Sequence, residues 1–358
     1  MRQPLIIWSI ILLSFTSCVP VEKNPVDEIK PEDLPWQKVT EITASDSQIR
    51  SIYATPFEIY FASDSYFFKL DTSLNLLEKR ILIPVDRSPY RRAIMSDNTF
   101  SRLYQGATGA YTLEFRHTRN PQVVKQFTTT ELVDTSKRET FDMEINLRQY
   151  GCYNNDGTKF LLPGRLLPAN KPFALILDIA LSYSPDNITS IKVAKRVEFP
   201  NLNIDKFESF RFLNGNFYVA TLEGGYRITP DGQIKKLFNN WVKDFFAIGD
   251  KIYSTGFGDF DFQTSTDNGL TWKRSVPSTL KYVETANGKA FSHNLSSTAF
   301  GVAESSLTKV LTLKYNPDMT FGNIADFDIA YFKGKYFTNA KLGKNEVHVF
   351  SCKTLQTK

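Results

Sequence analysis

The stretch that decides the fold is SFRFLNGNFYVATLEGGYRITPDGQIKKLF, residues 209–238. It contains four short runs rich in aromatic and β-branched residues, separated by turn-forming pairs such as Asn214-Gly215 and Asp231-Gly232. These pairs are favoured in tight hairpin turns, because Asn, Asp and Gly tolerate the positive φ angles that such turns require. The stretch therefore predicts four antiparallel strands, A to D, joined by short connections.

The same arrangement of strands and turns recurs along the chain. The turns between strands A and B fall near residues 57, 97, 156, 214, 249, 288 and 334, which gives seven units with a period of about 46 residues. A four-stranded unit of this length, repeated around an axis, is a β-propeller blade. The sequence thus predicts an all-β fold, a single propeller of seven four-stranded blades over residues 37–358. A β-sandwich or two small β domains is the alternative architecture.

The seventh unit contains strands A, B and C but no D strand before residue 358. Residues 36–42, WQKVTEI, have the pattern of an outer strand and resemble strand D of the fifth unit. We therefore expect this N-terminal segment to complete the last blade. Closing the ring in this way would cover the strand edges at the seam.

The composition agrees with a β-rich protein and excludes several function classes. Aromatic residues make up 14% of the chain, with 29 Phe and 16 Tyr, and such residues favour strands. Three His and three Cys are too few for a His-rich metal centre or a disulfide scaffold. The net charge of +5 is spread without basic blocks, which argues against nucleic-acid binding. We predict no cofactor and no metal.

The N-terminus predicts export. Residues 5–13 form an apolar run that is too short to span a bilayer but suits a signal peptide, and it is followed by Ser14-Phe15-Thr16-Ser17-Cys18. Small residues before a cysteine resemble the lipobox of bacterial lipoproteins. The resemblance implies a signal peptide over residues 1–17, a lipid on Cys18, and attachment to the cell envelope, at the outer membrane. Residues 18–36, rich in proline and charge, are then a tether. An ordinary signal peptide with an incidental cysteine is the alternative.

One motif is specific to a class of propellers. Residues 265–272 contain Ser265, Asp267, Gly269, Thr271 and Trp272 at the spacing Ser-x-Asp-x-Gly-x-Thr-Trp. This pattern resembles the Asp-box, or BNR repeat, of sialidases and similar propellers. The resemblance implies a structural turn between strands C and D, away from any reaction centre.

The same resemblance raises the hypothesis of a sialidase-like glycoside hydrolase. Those enzymes use an arginine triad, a Tyr/Glu nucleophile pair and an acidic proton donor. Only Phe210-Arg211 echoes their arginine signature, and it lacks the proline. Acidic pairs at residues 259 and 261 and at residues 326 and 328 resemble short Ca²⁺-binding motifs, with strand ends entering exposed loops as the alternative.

The loops favour binding as the function. In a propeller the D–A and B–C loops share one face, here called the loop face, and the A–B and C–D turns share the opposite turn face. Length variation is concentrated on the loop face, in residues 128–142 and 163–172, and long loops on a rigid scaffold commonly bind ligands. We therefore predict non-catalytic binding of a protein or polysaccharide, with solvated loops of incidental charge as the alternative. The candidate residues are Arg87, Tyr90, Arg91, Lys137, Arg138, Arg165, Trp241, Phe257 and Phe260.

Two cysteines remain in the predicted propeller. Cys152 falls in the inner strand of the third unit and Cys352 at the end of the third strand of the seventh. These positions are three blades apart, whereas a disulfide needs Cα atoms within about 7 Å. We predict two free thiols.

Overall fold

The computed structural model describes residues 34–42, 49–63, 65–81, 93–105, 111–128, 131, 140–143, 149–167, 171–200, 202, 207–256, 262–275, 280, 282–293, 300–320, 328–342 and 346–357. The chain divides into two units, Met1–Leu34 and Pro35–Lys358. The signal peptide and most of the predicted tether fall outside the described residues. Within the described ranges we find no helix long and apolar enough to cross a membrane.

The second unit is a seven-bladed β-propeller, which confirms the predicted fold. Its first strand is β1 (Gln37–Lys38). Blade 1 comprises β2 (Ile49–Ala54), β3 (Ile59–Ser63), β4 (Tyr66–Leu70) and β5 (Leu76–Ile81). Blade 2 comprises β6 (Ile94–Met95), β7 (Thr99–Gln105), β8 (Tyr111–His117) and β9 (Asn120–Thr128). Blade 3 comprises β10 (Thr140–Met143), β11 (Cys152–Tyr153), β12 (Lys159–Leu167), β13 (Lys171–Tyr183) and β14 (Asp186–Glu198).

Blades 4 to 7 complete the ring. Blade 4 comprises β15 (Phe207–Leu213), β16 (Asn216–Thr221), β17 (Gly224–Ile228) and β18 (Ile234–Phe238), and blade 5 comprises β19 (Val242–Ile248), β20 (Lys251–Gly256), β21 (Gln263–Ser265) and β22 (Lys273–Arg274). Blade 6 comprises β23 (Tyr282–Ala286), β24 (Lys289–His293), β25 (Phe300–Ala303) and β26 (Val310–Thr312). Blade 7 comprises β27 (Met319–Thr320), β28 (Ile329–Phe332), β29 (Lys335–Leu342) and β30 (Glu346–Cys352), together with β1.

The A–B turns lie where the sequence predicted all seven of them. In blades 4 and 6, Asn214 and Asn287 have φ angles of 48° and 49°, and the glycines that follow them also have positive φ. Blade 7 uses Lys333-Gly334 in the same way, with φ of 46° at the lysine. In these three blades the turn chemistry therefore fixes where the inner strand ends and the next strand begins.

Blades pack face to face through aromatic side chains. The rings of Phe67 and Phe100 stack between blades 1 and 2, with centroids 4.8 Å apart. Tyr218 and Phe245 meet between blades 4 and 5, and Phe61 reaches blade 7. Since a single blade is only one sheet thick, each blade buries its two faces only against its neighbours.

The N-terminal strand closes the ring, as predicted. Strand β1 pairs antiparallel with β30, with Gln37 opposite Ser351 and Lys38 opposite Phe350. The indole N–H of Trp36 donates to the carbonyl of Lys314 at 3.0 Å, and its backbone exchanges hydrogen bonds with the Asn316 side chain. Trp36 thus fixes the start of the propeller to the junction of blades 6 and 7.

Blade 3 differs from the sequence prediction. Its inner edge is built from two strands, β10 and β11, which both pair with β12. Pro163 stands in β12 between the residues that pair with β10 and those that pair with β11. Neither inner strand pairs with Pro163, so its lack of an N–H costs no hydrogen bond to them. The predicted loop at residues 163–172 is therefore wrong for most of its length: β12 continues to Leu167 and β13 starts at Lys171. Similarly, residues 140–142 of the predicted loop 128–142 belong to β10.

The two cysteines of the propeller, Cys152 and Cys352, are free, as predicted, and the structure buries both. Cys152 lies in inner strand β11, and Cys352 ends β30. Burial raises the pKa of the Cys152 thiol well above its ordinary range and that of Cys352 to about 12. Neither thiol is therefore a ready nucleophile at neutral pH.

Replacing Trp36 by Ala tests the closure. The substitution removes a buried indole and its hydrogen bond to Lys314, and we expect the free energy of unfolding to fall by about 3–5 kcal/mol. Lys38→Ala, at an exposed position of β1, is the matched control and should change it by less than about 0.5 kcal/mol. The measurement is chemical denaturation of the full chain. Equal stability of the two variants would contradict the proposed role of the seam.

Candidate functional site

The structure describes two of the nine candidate binding residues, Arg165 and Trp241. Arg165 lies in β12 near the loop face, opposite Asp142 and Pro172. Trp241 ends the D–A loop between blades 4 and 5. The lipidation candidate Cys18 and the remaining seven lie outside the described residues: Arg87, Tyr90, Arg91, Lys137, Arg138, Phe257 and Phe260. Their roles stay predictions.

Trp241 belongs to a polar network at the loop-face end of three inner strands. Its indole N–H donates to a carboxylate oxygen of Glu208 at 3.0 Å. The Tyr282 hydroxyl donates to the other oxygen of Glu208 at 3.1 Å. The Lys243 ammonium lies 3.4 Å from both oxygens and 3.3 Å from the Tyr282 hydroxyl. Blades 4, 5 and 6 each contribute to this arrangement, here called the Glu208 network.

The Glu208 network holds the Trp241 ring in place. The Lys243 ammonium sits over this ring, 4.0 Å from its centroid, and also faces the Tyr282 ring. Lys243 is buried, and a buried ammonium requires a compensating charge, which Glu208 supplies. A cation–π contact and a hydrogen bond therefore orient one aromatic ring at the loop-face end of the inner strands.

A second charged cluster lies deeper along the same inner strands. The Arg211 guanidinium donates to both carboxylate oxygens of Asp244, at 3.0 and 2.9 Å, and to Glu284 at 3.1 Å. Burial disfavours the charged guanidinium, but the two carboxylates outweigh burial, so the pKa of Arg211 lies above its ordinary value. The residue that echoes the sialidase signature is thus engaged by two acids of its own chain.

Acidic and amide side chains also join neighbouring inner strands. Asp244 accepts the backbone N–H of Val283 at 2.9 Å, and Gln149 accepts that of Phe210 at 3.1 Å. Asp328, one member of the acidic pair at residues 326 and 328, accepts the N–H of Ile52 at 3.0 Å and thereby joins blade 7 to blade 1. The carboxylate of Asp328 therefore has a role in blade contacts that neither sequence interpretation anticipated. Among the described residues, no three His, Cys, Asp or Glu side chains are placed to hold a metal ion.

A cavity of about 490 Å³ lies in the centre of the ring, on the turn-face side. Parts of the inner strands of blades 1, 2, 3, 4, 6 and 7 line it, and Arg211 and Glu284 contribute charged side chains. Sequence reasoning missed both the cavity and the Glu208 network. Their residues belong to several blades and share no local motif.

The turn at residues 265–272 connects β21 to β22, the position predicted for it. Asp267 accepts the hydroxyl and the backbone N–H of Thr271 at 2.5 and 2.9 Å, and Ser265 accepts the N–H of Gly269 at 2.8 Å. Gly269 has a φ of 74°, and a Cβ there would lie 2.4 Å from the Tyr218 hydroxyl. Trp272 packs on Phe238 of blade 4. The turn therefore ties blade 5 to blade 4.

This turn predicts a pH-dependent contribution to stability. Hydrogen bonds from the Thr271 hydroxyl and backbone, and then from Ser265, lower the pKa of Asp267 from 3.8 to about 2. The stabilisation is complete above pH 3.8 and is lost as the pH falls through about 2. We expect Asp267→Asn to lower the melting temperature by about 2 °C at pH 7, with the gap to wild type narrowing below pH 4. Asp250→Asn, on the A–B turn of the same blade, is the control, and a gap that stays constant down to pH 2.5 would contradict the assignment.

Comparisons with known proteins identify the fold. No protein-family model matches the chain, and no curated protein matches it. The extracellular domain assigned to a hybrid two-component system of B. thetaiotaomicron has a TM-score of 0.50 at 11% identity, and the match covers 88% of this chain and 39% of that chain. This chain therefore spans about two fifths of that structure's length. A chain of the mitotic checkpoint complex also has a TM-score of 0.50, at 9% identity, with 98% and 99% covered.

A third match is PorZ, described as a bacterial surface component of the type-IX secretion system of Porphyromonas gingivalis. It has a TM-score of 0.45 at 10% identity, and the match covers 90% of this chain and 39% of that chain. The two matches with a TM-score of 0.50 show a shared fold, and at 9–11% identity they show nothing about activity. The chain is a seven-bladed β-propeller.

Proposed function

We propose that this protein is a non-catalytic binding module of the bacterial cell envelope. In this proposal a lipid on Cys18 anchors the chain at the outer membrane, and residues 18–36 tether the propeller. The loop face binds a protein or a polysaccharide. We also infer that the turn at residues 265–272 is an Asp-box with a structural role.

The Glu208 network is the observation that best supports binding. Trp and Tyr supply large contact areas at low conformational cost and are frequent in the energetic centres of interfaces. Here Trp241 is oriented before any partner arrives, because Glu208 and Lys243 fix its edge and one ring face. A preorganised aromatic ring costs little entropy on binding. Basic and aromatic residues predicted around it on the loop face suit the same role.

A sialidase-like hydrolase is the second candidate, and one observation favours it. The hydroxyl of Tyr282 donates to Glu208 at 3.1 Å, and a Tyr/Glu pair is the nucleophile that the Asp-box resemblance implies. Two features favour binding over hydrolysis. Glu208 is also engaged by Lys243 and Trp241, and Arg211 is bound by Asp244 and Glu284 rather than left to grip a substrate carboxylate.

Substituting Trp241 tests the binding function. Trp241→Ala in the full chain should weaken binding to envelope polysaccharides on a glycan array, or to an envelope protein identified by crosslinking, by about tenfold or more. Tyr183→Ala is the matched control, since this tyrosine is 60% exposed beside the C–D turn of blade 3. Equal binding by the Trp241 variant would show that the binding site lies away from the Glu208 network. Turnover of a fluorogenic glycoside that Glu208→Gln abolishes would establish the hydrolase instead.

Substituting Cys18 tests the anchor separately. Cys18→Ser should leave the precursor unprocessed and remove the protein from the detergent phase on phase partitioning, because no lipid can be attached. Cys352→Ser serves as the control, since this buried thiol lies in the propeller. Partitioning of the Cys18 variant like that of wild type would refute lipidation while leaving the binding proposal intact.

A further inference from the structure

A second concave site lies on the turn face, between blades 6 and 7. It is a groove of about 690 Å³, within the size range of small-ligand pockets. The C-terminal segment forms one wall: the backbone N–H of Lys314 donates to Gln356 at 2.8 Å, and Thr357 forms a bridge with Leu313. These bonds hold the segment against blade 6 and keep the groove formed. We call it the blade 6–7 groove.

Two tyrosines give the groove an aromatic wall. The rings of Tyr331 and Tyr336 lie 4.8 Å apart at an angle of 57°. The amide of Asn287 donates to the Tyr336 hydroxyl at 3.1 Å and fixes that ring. Tyr336 is buried, whereas Tyr331 is partly exposed, so the Tyr331 ring can meet a ligand. Apolar side chains of Val302, Leu311 and Leu355 complete this wall.

The rim of the groove is polar and has an excess of positive charge. Lys289 and Lys353 are both exposed, and Glu304 is the opposing charge, so the lining carries a formal charge of +1. No ion pair involves either lysine within the described ranges. Exposed hydroxyl groups of Ser305, Ser306 and Thr354 stand beside them. The rim therefore offers cations for one acidic group and several hydrogen-bonding groups for neutral ones.

We propose that the blade 6–7 groove binds an acidic oligosaccharide. A pyranose ring has an apolar face that can pack on the partly exposed tyrosine, and hydroxyl groups that suit the serine- and threonine-lined rim. A sugar carboxylate would interact with Lys289 and Lys353 through charge-assisted hydrogen bonds. A peptide of Asp or Glu offers carboxylates to the lysines but no apolar ring face to pack on Tyr331, which favours the saccharide.

This proposal goes beyond the function proposed for the loop face. The Glu208 network lies where inner strands begin, and the groove lies where they end at the A–B turns. The two sites share no residue. Failure of one proposal therefore leaves the other standing.

Calorimetric titration of the full chain with a galacturonate disaccharide tests the proposal. We expect saturable binding that weakens as the salt concentration rises. Lys289→Gln and Lys353→Gln should each weaken it by about fivefold to tenfold, the loss expected for one charge-assisted contact. Lys251→Gln is the matched control, because Lys251 follows the A–B turn of blade 5 as Lys289 follows that of blade 6, but lies outside the groove. It should bind like wild type.

Titrations with other ligands and with a Tyr331 variant distinguish the ligand classes. The neutral galactose disaccharide should bind more weakly than the acidic one, and tetraglutamate more weakly still. Tyr331→Leu, which keeps apolar packing but removes the aromatic face, should weaken both sugars and leave cooperative melting in place. Absence of saturable binding, tighter binding of tetraglutamate, or an equal loss in the Lys251 and Lys289 variants would each overturn the proposal.

Discussion

Pairing of the first strand with the last is the constraint on which the rest of the structure depends. A blade is a single sheet and buries its two faces only when a neighbour stands on each side, so an open ring would expose two apolar faces. Strand β1 contributes only two residues to the seam, and Trp36 adds hydrogen bonds to Asn316 and Lys314, about 280 residues away in the sequence. The interface between blades 7 and 1 also rests on long-range contacts, such as that of Asp328 with Ile52, whereas the remaining interfaces join consecutive units.

Closure by strands and side chains leaves the connecting loops free to vary. The interfaces of blades 1 to 3 show this: aromatic packing continues through Phe67, Phe100, Phe115 and Phe160, although the inner edge of blade 3 is divided between β10 and β11. Loops that do not carry the fold are available for function. The connections of the loop face are therefore compatible with a binding role.

The repeat could be predicted because its signals are local. The pairs Asn214-Gly215 and Asn287-Gly288 each indicate a tight turn within two residues, and a glycine with positive φ stands at the A–B turn of blades 3 to 7. The divided inner edge of blade 3 could not be predicted. Taken alone, Pro163 indicates a loop, but it lies within β12 at a position where neither β10 nor β11 pairs with it. The Arg211 cluster escaped for another reason. Asp244 and Glu284 are 33 and 73 residues from it, and no local pattern shows which side chains of different blades meet.

The two charged clusters on the inner strands explain why charge alone does not identify an active site here. Arg211 and Lys243 are the type of cation that would grip an anionic substrate, yet each is bound by carboxylates from neighbouring blades. Removing Arg211 would leave the fully buried Asp244 uncompensated, which is costly to stability, and removing Lys243 would take from the partly buried Glu208 its ion-pair partner. These cations therefore stabilise contacts between blades, and a substrate could bind them only by replacing those ion pairs. Lys289 and Lys353 differ, since both are exposed at a groove whose tyrosines are already in place. A ligand that meets them has no internal ion pair to break, so the turn face can offer its charge to a partner at a lower cost than the inner strands can.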